Sequence, residues 1–393
     1  MQIGAWNISL IDLYLLSGMA VLLLIELYFY LRYIRLPKRK RSTDEQEIKM
    51  EHAGDQLDLF DSNIRGVSVI VAARNEAYNL ADYLPALLEQ DYPMFEVIVV
   101  DDGSEDGTQA LLDELSTHYP RLRHSFVPRQ ARIISSKKLA LSLGIKAARY
   151  DYLLFTDADC RPASRFWIQE MMQGFDSDQT QVVLGYGAYF KQKGMLNRLV
   201  RYDTLFNGLH YLGSARAGHP YMGVGRNLAY RKEWFNNSKG FTPFLGMMAG
   251  DDDLLVNHAA TGKNTATIAT PKSLTWSPAK TSWRDWWHQK HRHLSVSPAY
   301  TLSSRLRLGI EPLVRGAWYA LAVWLLLRGW GIVQWAVLAL LGVRLLTRSL
   351  VLNLSAKRLG VPKVGIDLLL WDVLLPLISL WILVFPYRQP KRW

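Results

Sequence analysis

Short apolar segments alternate with amphipathic segments between residues 67 and 156, and this alternation constrains the fold more than any other feature. Apolar runs of strand length alternate with stretches in which Leu and Tyr recur at helical spacing. In order, the predicted strands are 67–73, 95–100, 122–127 and 152–156, and the predicted helices are 76–90, 108–118 and 137–148. Continuously apolar strands separated by helices predict an α/β fold whose parallel sheet is covered on both faces.

Polar motifs follow the first two predicted strands. Arg74-Asn-Glu76 follows the first, and Asp101-Asp-Gly-Ser-Glu-Asp-Gly107 follows the second. Ligands bind beyond the carboxyl ends of parallel strands, where a carboxylate accepts hydrogen bonds from a nucleobase or a ribose. Gly103 allows a ligand to approach the backbone, although Asp-Gly-Ser is also ordinary turn chemistry. Lys137 begins a helix and suits a diphosphate, with a solvated lysine as the alternative.

Asp157 and Asp159 follow the strand at 152–156 with one residue between them. Alternate residues of an extended backbone project to the same side, so both carboxylates can converge on one hard cation. Mg²⁺ and Mn²⁺ take carboxylate ligands and keep positions open for phosphate oxygens. The alternative is that the two acids begin a turn or cap a helix.

The longest apolar stretches of the chain are concentrated at its two ends. The net charge is +11 among 393 residues, and basic clusters stand beside the apolar ends, at 35–41 and 390–393. This pattern is typical of cytoplasmic juxtamembrane segments, so the positive charge predicts membrane lipids as partners and no nucleic acid. The one cysteine, Cys160, excludes intrachain disulfides and thiolate zinc clusters.

Three apolar regions are candidates for membrane helices. Ile8–Leu31 is long enough to span a bilayer and lacks the basic start and cleavage site of a signal peptide. Glu311–Leu346 is interrupted by Arg328-Gly-Trp-Gly331, so it is either one long helix or a hairpin of two. Gly365–Phe385 is the third region. We expect a multi-pass protein with two or three C-terminal helices.

Taken together, the motifs resemble those of the inverting nucleotide-sugar glycosyltransferases of family 2, which have the GT-A fold. The resemblance covers roughly residues 67–300 and is carried by five motifs in the order of that family. They are Val69-Ile-Val-Ala-Ala-Arg-Asn-Glu76, Val100-Asp-Asp-Gly-Ser-Glu-Asp-Gly-Thr108, Lys137-Lys-Leu-Ala-Leu141, Asp157-Ala-Asp159 and Gly250-Asp-Asp-Asp-Leu254.

The resemblance implies a binding site for the nucleotide sugar. Asp102 would hold the uracil or ribose, and Asp159, with Asp157, would bind Mg²⁺ or Mn²⁺. The other residues implied to line this part of the site are Ala72, Arg74, Glu76, Asp101 and Lys137.

The resemblance also implies a catalytic base and an acceptor region. Asp252 would be the base and Asp251 would stand where the family often has Glu. Three successive Asp leave the register open by one residue, and acids are also favourable at a helix start. Gly225, Arg226 and Asn227, within Gly223–Tyr230, would lie near the sugar or the acceptor.

A further segment, Trp283–His293, resembles the Q-x-x-R-W signature of the family. Gln289 and Arg292 match it, and Arg292 would neutralise the departing diphosphate, whereas His293 replaces the tryptophan that contacts the acceptor sugar in processive relatives. The tryptophans of this segment fit an amphipathic helix at the membrane interface.

These observations predict five segments: an anchor at 1–35, a linker at 36–66, a cytosolic GT-A domain at 67–280, an interfacial segment at 281–305 and a membrane region at 306–393. We expect transfer of a sugar, with UDP as the expected carrier, to a lipid or lipid-linked glycan at the cytoplasmic face of a bacterial inner membrane. The alternatives are a processive polysaccharide synthase, a non-catalytic membrane scaffold and, more weakly, a nucleotidyltransferase.

Overall fold

The computed structural model describes residues 9–34, 64–127, 136–247, 249–329, 331–365 and 368–385. Two compact units divide the chain. The helical unit comprises residues 1–35, 191–213 and 280–390, and the sheet unit comprises 36–190, 214–279 and 391–393. Residues 191–213, which we expected within the catalytic domain, thus group with the helices. The basic clusters and most of the expected linker lie outside the described residues.

The sheet unit contains all the strands of the described chain. They are β1 (Val67–Ala73), β2 (Phe95–Asp101), β3 (Leu122–Phe126), β4 (Tyr152–Phe155), β5 (Arg161–Pro162), β6 (Val182–Leu184), β7 (Gly187–Tyr189), β8 (Leu228–Arg231), β9 (Thr265–Thr267) and β10 (Thr275–Ser277). Its helices are α2 (Ala77–Leu88), α3 (Thr108–His118), α4 (Ser136–Ala147), α5 (Trp167–Met172), α7 (Lys232–Asn237) and α8 (Asp253–Ala259), and α6 (Met195–Arg216) enters it at its end.

The main sheet has the order β3-β2-β1-β4-β8-β6-β9 within the described residues. Strands β3, β2, β1 and β4 are parallel, with Ala73 opposite Asp101 and Ile70 opposite Phe155. Strand β8 runs antiparallel to β4, and a smaller sheet has the order β5-β10-β7. The carboxyl ends of β1, β2 and β4 therefore lie at one edge of the main sheet.

Burial on both faces explains why these runs form parallel strands. Every residue of β1 and of β2 is buried. On one face, Val69 and Val71 pack with Leu84 of α2 in the core. On the other, α4 approaches closely at Gly144, where a Cβ atom would stand 2.7 Å from Ile70 Cγ2. Removal of this apolar surface from water stabilises the sheet and fixes the positions of the loops that follow it.

The α/β prediction is confirmed by these elements. The first strand and the helix at 108–118 have the predicted bounds, and the other predicted strands and helices of residues 67–148 and 152–156 differ by one or two residues at their ends. Helix ends commonly vary by this amount because their last hydrogen bonds fray.

The helical unit is built from long helices. They are α1 (Leu10–Ile34), α9 (Trp283–Leu294), α10 (Leu302–Leu326), α11 (Ile332–Leu359), α12 (Leu368–Val384) and most of α6. The apolar region at 311–346 is thus a pair of helices, separated by a break that includes Gly329 at φ +111°. The boundary that we expected between residues 305 and 306 lies inside α10, because helical spacing of Leu302 and Leu306 continues across it.

Two of these helices are long and apolar enough to cross a bilayer, judged by length and composition. They are Leu10–Arg32 and Ile332–Leu359, and the apolar stretch Leu368–Ile382 is shorter. Large apolar side chains point outward from them, including Leu24 at 64% exposure and Leu346 at 73%. Aliphatic surface of this extent on several helices is typical of proteins in contact with lipid.

A network of charged side chains is buried among the helices of this unit. Arg344 of α11 pairs with Glu26 of α1 at 2.8 Å and with Asp372 of α12. Arg348 lies 2.6 Å from Asp372, and Arg315 of α10 lies 3.3 Å from the same carboxylate. Glu26, Asp372, Arg344 and Arg348 are at most 1% exposed. Asp372 therefore joins three guanidinium groups from two other helices.

We expect Asp372→Asn to destabilise the helical unit strongly. The amide keeps the shape of the side chain but leaves buried guanidinium groups undercompensated, which costs about 3–5 kcal/mol. Asp12→Asn is the matched control, because it removes the partner of Arg328, a 42% exposed side chain, and such pairs contribute about 0–1 kcal/mol. Thermal unfolding in detergent measures both changes, and equal effects of the two substitutions would contradict this account.

Candidate active site

Two loops at the carboxyl ends of β1 and β2 are joined by side-chain hydrogen bonds. Asn75, in the left-handed region at φ 54°, donates its backbone N–H to Ser104 Oγ at 2.8 Å. The backbone N–H of Glu105 donates in return to Asn75 Oδ1 at 2.8 Å. Asp101 Oδ1 accepts hydrogen bonds from the N–H and the hydroxyl of Ser104, so this carboxylate stabilises the turn. These hydrogen bonds thus join the two loops to each other.

Asp102 is the first residue after β2. Its side chain is fully buried, and Arg74 Nη1 stands 4.0 Å from Asp102 Oδ2. Ala72, the penultimate residue of β1, is 7% exposed. Glu76 is also held locally, because its Oε2 atom accepts a hydrogen bond from Asn79 Nδ2 at 2.6 Å. Of the residues implied for the nucleotide, the structure therefore brings Arg74 and Asp102 together.

Asp157 and Asp159 follow β4 as a cluster of possible metal ligands. One ligand atom each from Asp157, Asp159 and Cys160 lie within 4.8 Å of one another. Opposite oxygen ligands of Mg²⁺ stand about 4.2 Å apart, so the carboxylate spacing suits a hard divalent ion. Burial, with the charges of Asp159 and Asp157, raises the pKa of the Cys160 thiol well above its ordinary value. Mg²⁺ and Mn²⁺ prefer oxygen ligands to sulfur, so the two carboxylates are the candidate donors for such an ion.

Lys137, at the start of α4, joins two acidic segments that are distant in sequence. Its ammonium group donates to Asp157 Oδ1 at 3.0 Å and lies 3.2 Å from Asp251 Oδ2. Burial would lower the pKa of Lys137, but the charges of Asp157 and Asp251 raise it above its ordinary range. The lysine is thus a permanent cation beside both carboxylates.

Asp252 is held by two backbone N–H groups. Its Oδ1 atom accepts a hydrogen bond from the N–H of Asp253 at 2.8 Å, as the N-cap of α8, and its Oδ2 atom accepts one from the N–H of Gly225. A Cβ atom at position 225 would stand 3.3 Å from Asp252 Oδ2, so glycine permits this close approach. The orientation of the Asp252 carboxylate is therefore fixed by the chain itself.

The two neighbouring carboxyls titrate in different directions. Burial, together with the charge of Asp251, raises the pKa of Asp252 to about 6. Burial also acts to raise the pKa of Asp251, but the ammonium group of Lys137 outweighs it and holds this pKa below its ordinary value. A separation of pKa values between adjacent acids is how sites assign one of them to proton transfer.

These groups line one cavity of the sheet unit. Its polar side is formed by Lys137, Asp157, Asp251 and Asp252. Its apolar side includes Phe155, Leu228, Tyr230 and Phe241. Electrostatic interactions inside such a partly apolar cavity are stronger than in water. The cavity can therefore offer Asp252, a carboxyl of raised pKa, as a proton acceptor.

Arg226 and Asn227, which follow Gly225, make hydrogen bonds to other residues of the sheet unit. Arg226 donates to Ser277 Oγ at 2.8 Å and to Gly187 O at 3.2 Å. The side chain of Asn227 is fully buried; its amide donates to Tyr186 O and Ser273 O, and its Oδ1 atom accepts from Trp167 Nε1. These bonds use both amide hydrogens of Asn227, so its amide group is held in one orientation.

Lys138 is a residue that sequence analysis missed. Its ammonium group is buried and donates to three backbone carbonyls, those of Phe244, Met247 and Ala249. A signal existed, because Lys138 shares a helix face with the buried Leu141 and Ile145 at spacings of three and seven residues. A lysine on an apolar face needs buried acceptors.

Gln289, Arg292 and His293 lie on α9, in the helical unit. Ser282 caps this helix by accepting a hydrogen bond from the N–H of Asp285, and Trp286 is buried on its inner face. Lys290 of the same helix pairs with Asp203 of α6 at 2.7 Å, within the helical unit. The orientation of α9 on its own unit is thus fixed by an ion pair and an aromatic anchor.

Comparisons with known proteins support the interpretation of the motifs. Residues 68–238 match the family model described as glycosyl transferase family 2. The chain is 31% identical over 148 residues to glycosyltransferase AglE of Haloferax volcanii, covering 37% of this chain and 47% of that protein. It is 33% identical over 96 residues to a poly-beta-1,6-N-acetyl-D-glucosamine synthase of Staphylococcus epidermidis, covering 24% and 22%. The match thus spans less than half the length of either relative.

A solved structure has a similar fold. Mannosyltransferase PcManGT from Pyrobaculum calidifontis, determined in complex with GDP-Man and Mn²⁺, superposes with a TM-score of 0.54. The similarity covers 89% of this chain and 98% of that chain at 19% sequence identity, which shows a common fold. With the family match at residues 68–238, it follows that the chain carries a family 2 glycosyltransferase domain of the GT-A fold.

Proposed function

We propose that the chain is an inverting glycosyltransferase that moves a sugar from a nucleotide-sugar donor to a lipid or lipid-linked glycan. The observation that carries this proposal is the convergence of Lys137, Asp157, Asp251 and Asp252 on one cavity at the carboxyl ends of parallel strands. A cation that could face the diphosphate, Lys137, and a carboxylate with a raised pKa, Asp252, then line the same cavity. A UDP-sugar is the expected donor.

The donor site is proposed to extend from the loops to Lys137. Arg74 and Asp102 would hold the uracil and ribose, beside Ala72, Glu76 and Asp101. Asp159 and Asp157 would hold Mg²⁺ or Mn²⁺, an ion that supplies Lewis-acid stabilisation of the diphosphate when bound. Lys137 adds a second positive charge from the protein. Gln289 and Arg292 are proposed to contact the departing diphosphate, and His293 and Arg226 to lie near the acceptor.

Proton transfer is proposed to fall to Asp252. Both of its oxygen atoms are oriented by backbone N–H groups, and each keeps a lone pair for an acceptor hydroxyl. As the hydroxyl oxygen attacks the anomeric carbon, its proton passes to Asp252 and the bond to the diphosphate breaks. A single displacement of this kind inverts the anomeric centre, because no covalent sugar–enzyme intermediate forms.

The membrane is the proposed location of the acceptor. Helices α1 and α11 have the length and composition to cross a bilayer, and charged residues of the helical unit are paired inside it. We propose a multi-pass protein of the bacterial inner membrane whose sheet unit lies in the cytoplasm. Nucleotide sugars are cytosolic, and the basic cluster at 35–41 agrees with that side.

A processive polysaccharide synthase is a second candidate, favoured by the similarity to the poly-beta-1,6-N-acetyl-D-glucosamine synthase. A panel of labelled nucleotide sugars, offered to the purified protein with membrane lipid extract, tests both. We expect a lipid product that carries one added sugar. Long polymer would favour the synthase, and no binding of any nucleotide sugar with Mg²⁺ or Mn²⁺ would favour a scaffold.

We expect Asp252→Asn to abolish transfer while donor binding stays within about twofold. Loss of a general base lowers kcat by roughly 10²–10⁴, whereas the amide preserves the size of the side chain. Single-turnover transfer and donor titration measure the two effects. Asp253→Asn is the matched control, because the Asp253 carboxylate accepts a hydrogen bond from the N–H of Leu254 within α8. Normal transfer by the Asp252 variant would move the base to Asp251 or Asp253.

The activity should depend on pH through Asp252. A general base must be deprotonated, and the pKa of this carboxyl is raised to about 6. We therefore expect kcat/KM to be constant above about pH 7 and to fall about tenfold per unit below pH 6. Initial rates between pH 4.5 and 8 measure the profile, with tryptophan fluorescence as a control for folding. An acid limb near the ordinary aspartate pKa would contradict the assignment.

We expect Asp159→Ala to weaken donor binding only when a divalent ion is present. Loss of one carboxylate ligand should lower the affinity for the metal–donor complex by roughly tenfold or more. Calorimetric titration of UDP with Mn²⁺ and with chelator measures the difference. Asp178→Ala, at an exposed position of the same unit, is the control. An equal loss in chelator would place Asp159 outside the metal site.

A further inference from the structure

Lys138 binds the backbone of the segment that leads into Asp251–Asp253, which we call the acidic motif. The distances from its ammonium nitrogen to the carbonyl oxygens of Phe244 and Ala249 are 3.0 and 2.7 Å, and the oxygen of Met247 is also in contact. An ammonium group has three N–H donors, so all of them have acceptors here. The side chain is fully buried. Its charge is therefore compensated by backbone dipoles of one short segment.

The fastened segment, in its described residues 242–247 and 249, is part of no α-helix or strand. It contains a single turn of 3-10 helix at Thr242–Phe244 and then runs to Gly250, whose φ of +95° requires glycine. Phe241 lines the cavity, and Phe244 packs against the ring of His258 on α8 at a centroid distance of 5.0 Å. Gly250 is followed directly by Asp251 and Asp252. The position of both carboxylates thus depends on what holds the backbone at Phe244, Met247 and Ala249.

The two lysines that begin α4 act on the same motif by different routes. Lys137 pairs directly with the carboxylate of Asp251 at 3.2 Å, whereas Lys138 binds the backbone just before Gly250. Two side chains at the start of α4 therefore hold the acidic motif. Lys137 holds the carboxylate of Asp251, and Lys138 holds the main chain before Gly250. A shift of about 1 Å in a catalytic group can lower a rate by roughly 10².

We propose that Lys138 is a positioning residue of the transfer reaction, holding the backbone at Phe244, Met247 and Ala249 so that Asp252 keeps its orientation towards the acceptor hydroxyl. The inference rests on the proposed function, since it assigns to Lys138 the placement of the proposed base. Lys138 itself contacts neither donor nor acceptor in this scheme. Its loss should therefore act on turnover and leave the donor site formed by β1, β2 and β4 in place.

The test compares Lys138→Met with Lys146→Met, which removes an exposed lysine from the same helix. Methionine keeps the length of the stem and removes the charge and the three donors. We expect kcat of Lys138→Met to fall roughly 10–100-fold, with the donor KM changed less than about threefold. Lys146→Met should keep both constants. Lys138→Gln, which retains two donors, should show a smaller loss of kcat.

Limited proteolysis gives a readout that does not use activity. Lys239 is exposed and lies just before the fastened segment. We expect trypsin to cut after Lys239 at least about fivefold faster in Lys138→Met than in Lys146→Met, because release of the segment favours local opening. Mass spectrometry identifies the fragment, and near-UV circular dichroism verifies that the rest of the unit is folded.

The outcomes separate this inference from the proposed function. Wild-type kcat in a folded Lys138→Met protein, or in Lys138→Gln if the Met variant does not fold, would overturn the positioning role while the proposed function stands. A loss confined to donor KM would also overturn it. If the unmodified protein transfers no sugar from any donor, the proposed function fails and this inference fails with it.

Discussion

The acidic site depends on the two ion pairs that the ammonium group of Lys137 makes. Carboxylates from two distant segments, Asp157 and Asp251, lie on either side of it at 3.0 and 3.2 Å. Without a cation between them, their mutual repulsion in a partly apolar cavity would favour protonation or separation. The lysine also keeps Asp251 ionised, and that charge contributes to the raised pKa of Asp252. These ion pairs thus gather the site and differentiate its two acids.

The helical unit follows the same physical rule in different surroundings. Glu26 and Asp372 are buried among helices whose outer faces are apolar, and each is paired with Arg344. Buried charges are tolerated when they are compensated by partners with good geometry. In the helical unit the compensation joins α1, α11 and α12, whereas in the sheet unit the compensated groups line a cavity.

Much of the sheet unit could be predicted from the sequence. The strand at 67–73 and the helix at 108–118 were predicted with their observed bounds, and the family match confirmed the resemblance drawn from the motifs. These predictions succeeded because the period of the hydrophobic residues and the polarity of the side chains are evident within a few neighbouring residues. The same reasoning named Lys137, Asp157 and Asp252 as site candidates, whose catalytic roles stay predictions. It did not single out Lys138, because the partners of that side chain are distant in sequence, and the place of Asn227 near the sugar stays a prediction.

The three successive aspartates show where local reasoning ends. Their sequence leaves the base undecided by one residue. In the structure Asp251 faces Lys137, Asp252 accepts hydrogen bonds from Gly225 and Asp253, and the Asp253 side chain accepts one from Leu254. The three side chains thus have different partners although they have the same chemistry. Each partner set comes from the fold around the motif.

The sequence by itself determined which segments form strands and helices and which polar motifs stand at the strand ends, because backbone period and side-chain polarity act over a few residues. Only the tertiary structure decided which charges meet: Lys137 with Asp251 across more than a hundred residues, and Arg344 with Glu26 across 318. Such pairings depend on how packed elements bring distant side chains within a few ångströms. Electrostatic energy depends on that distance, and no local pattern encodes it.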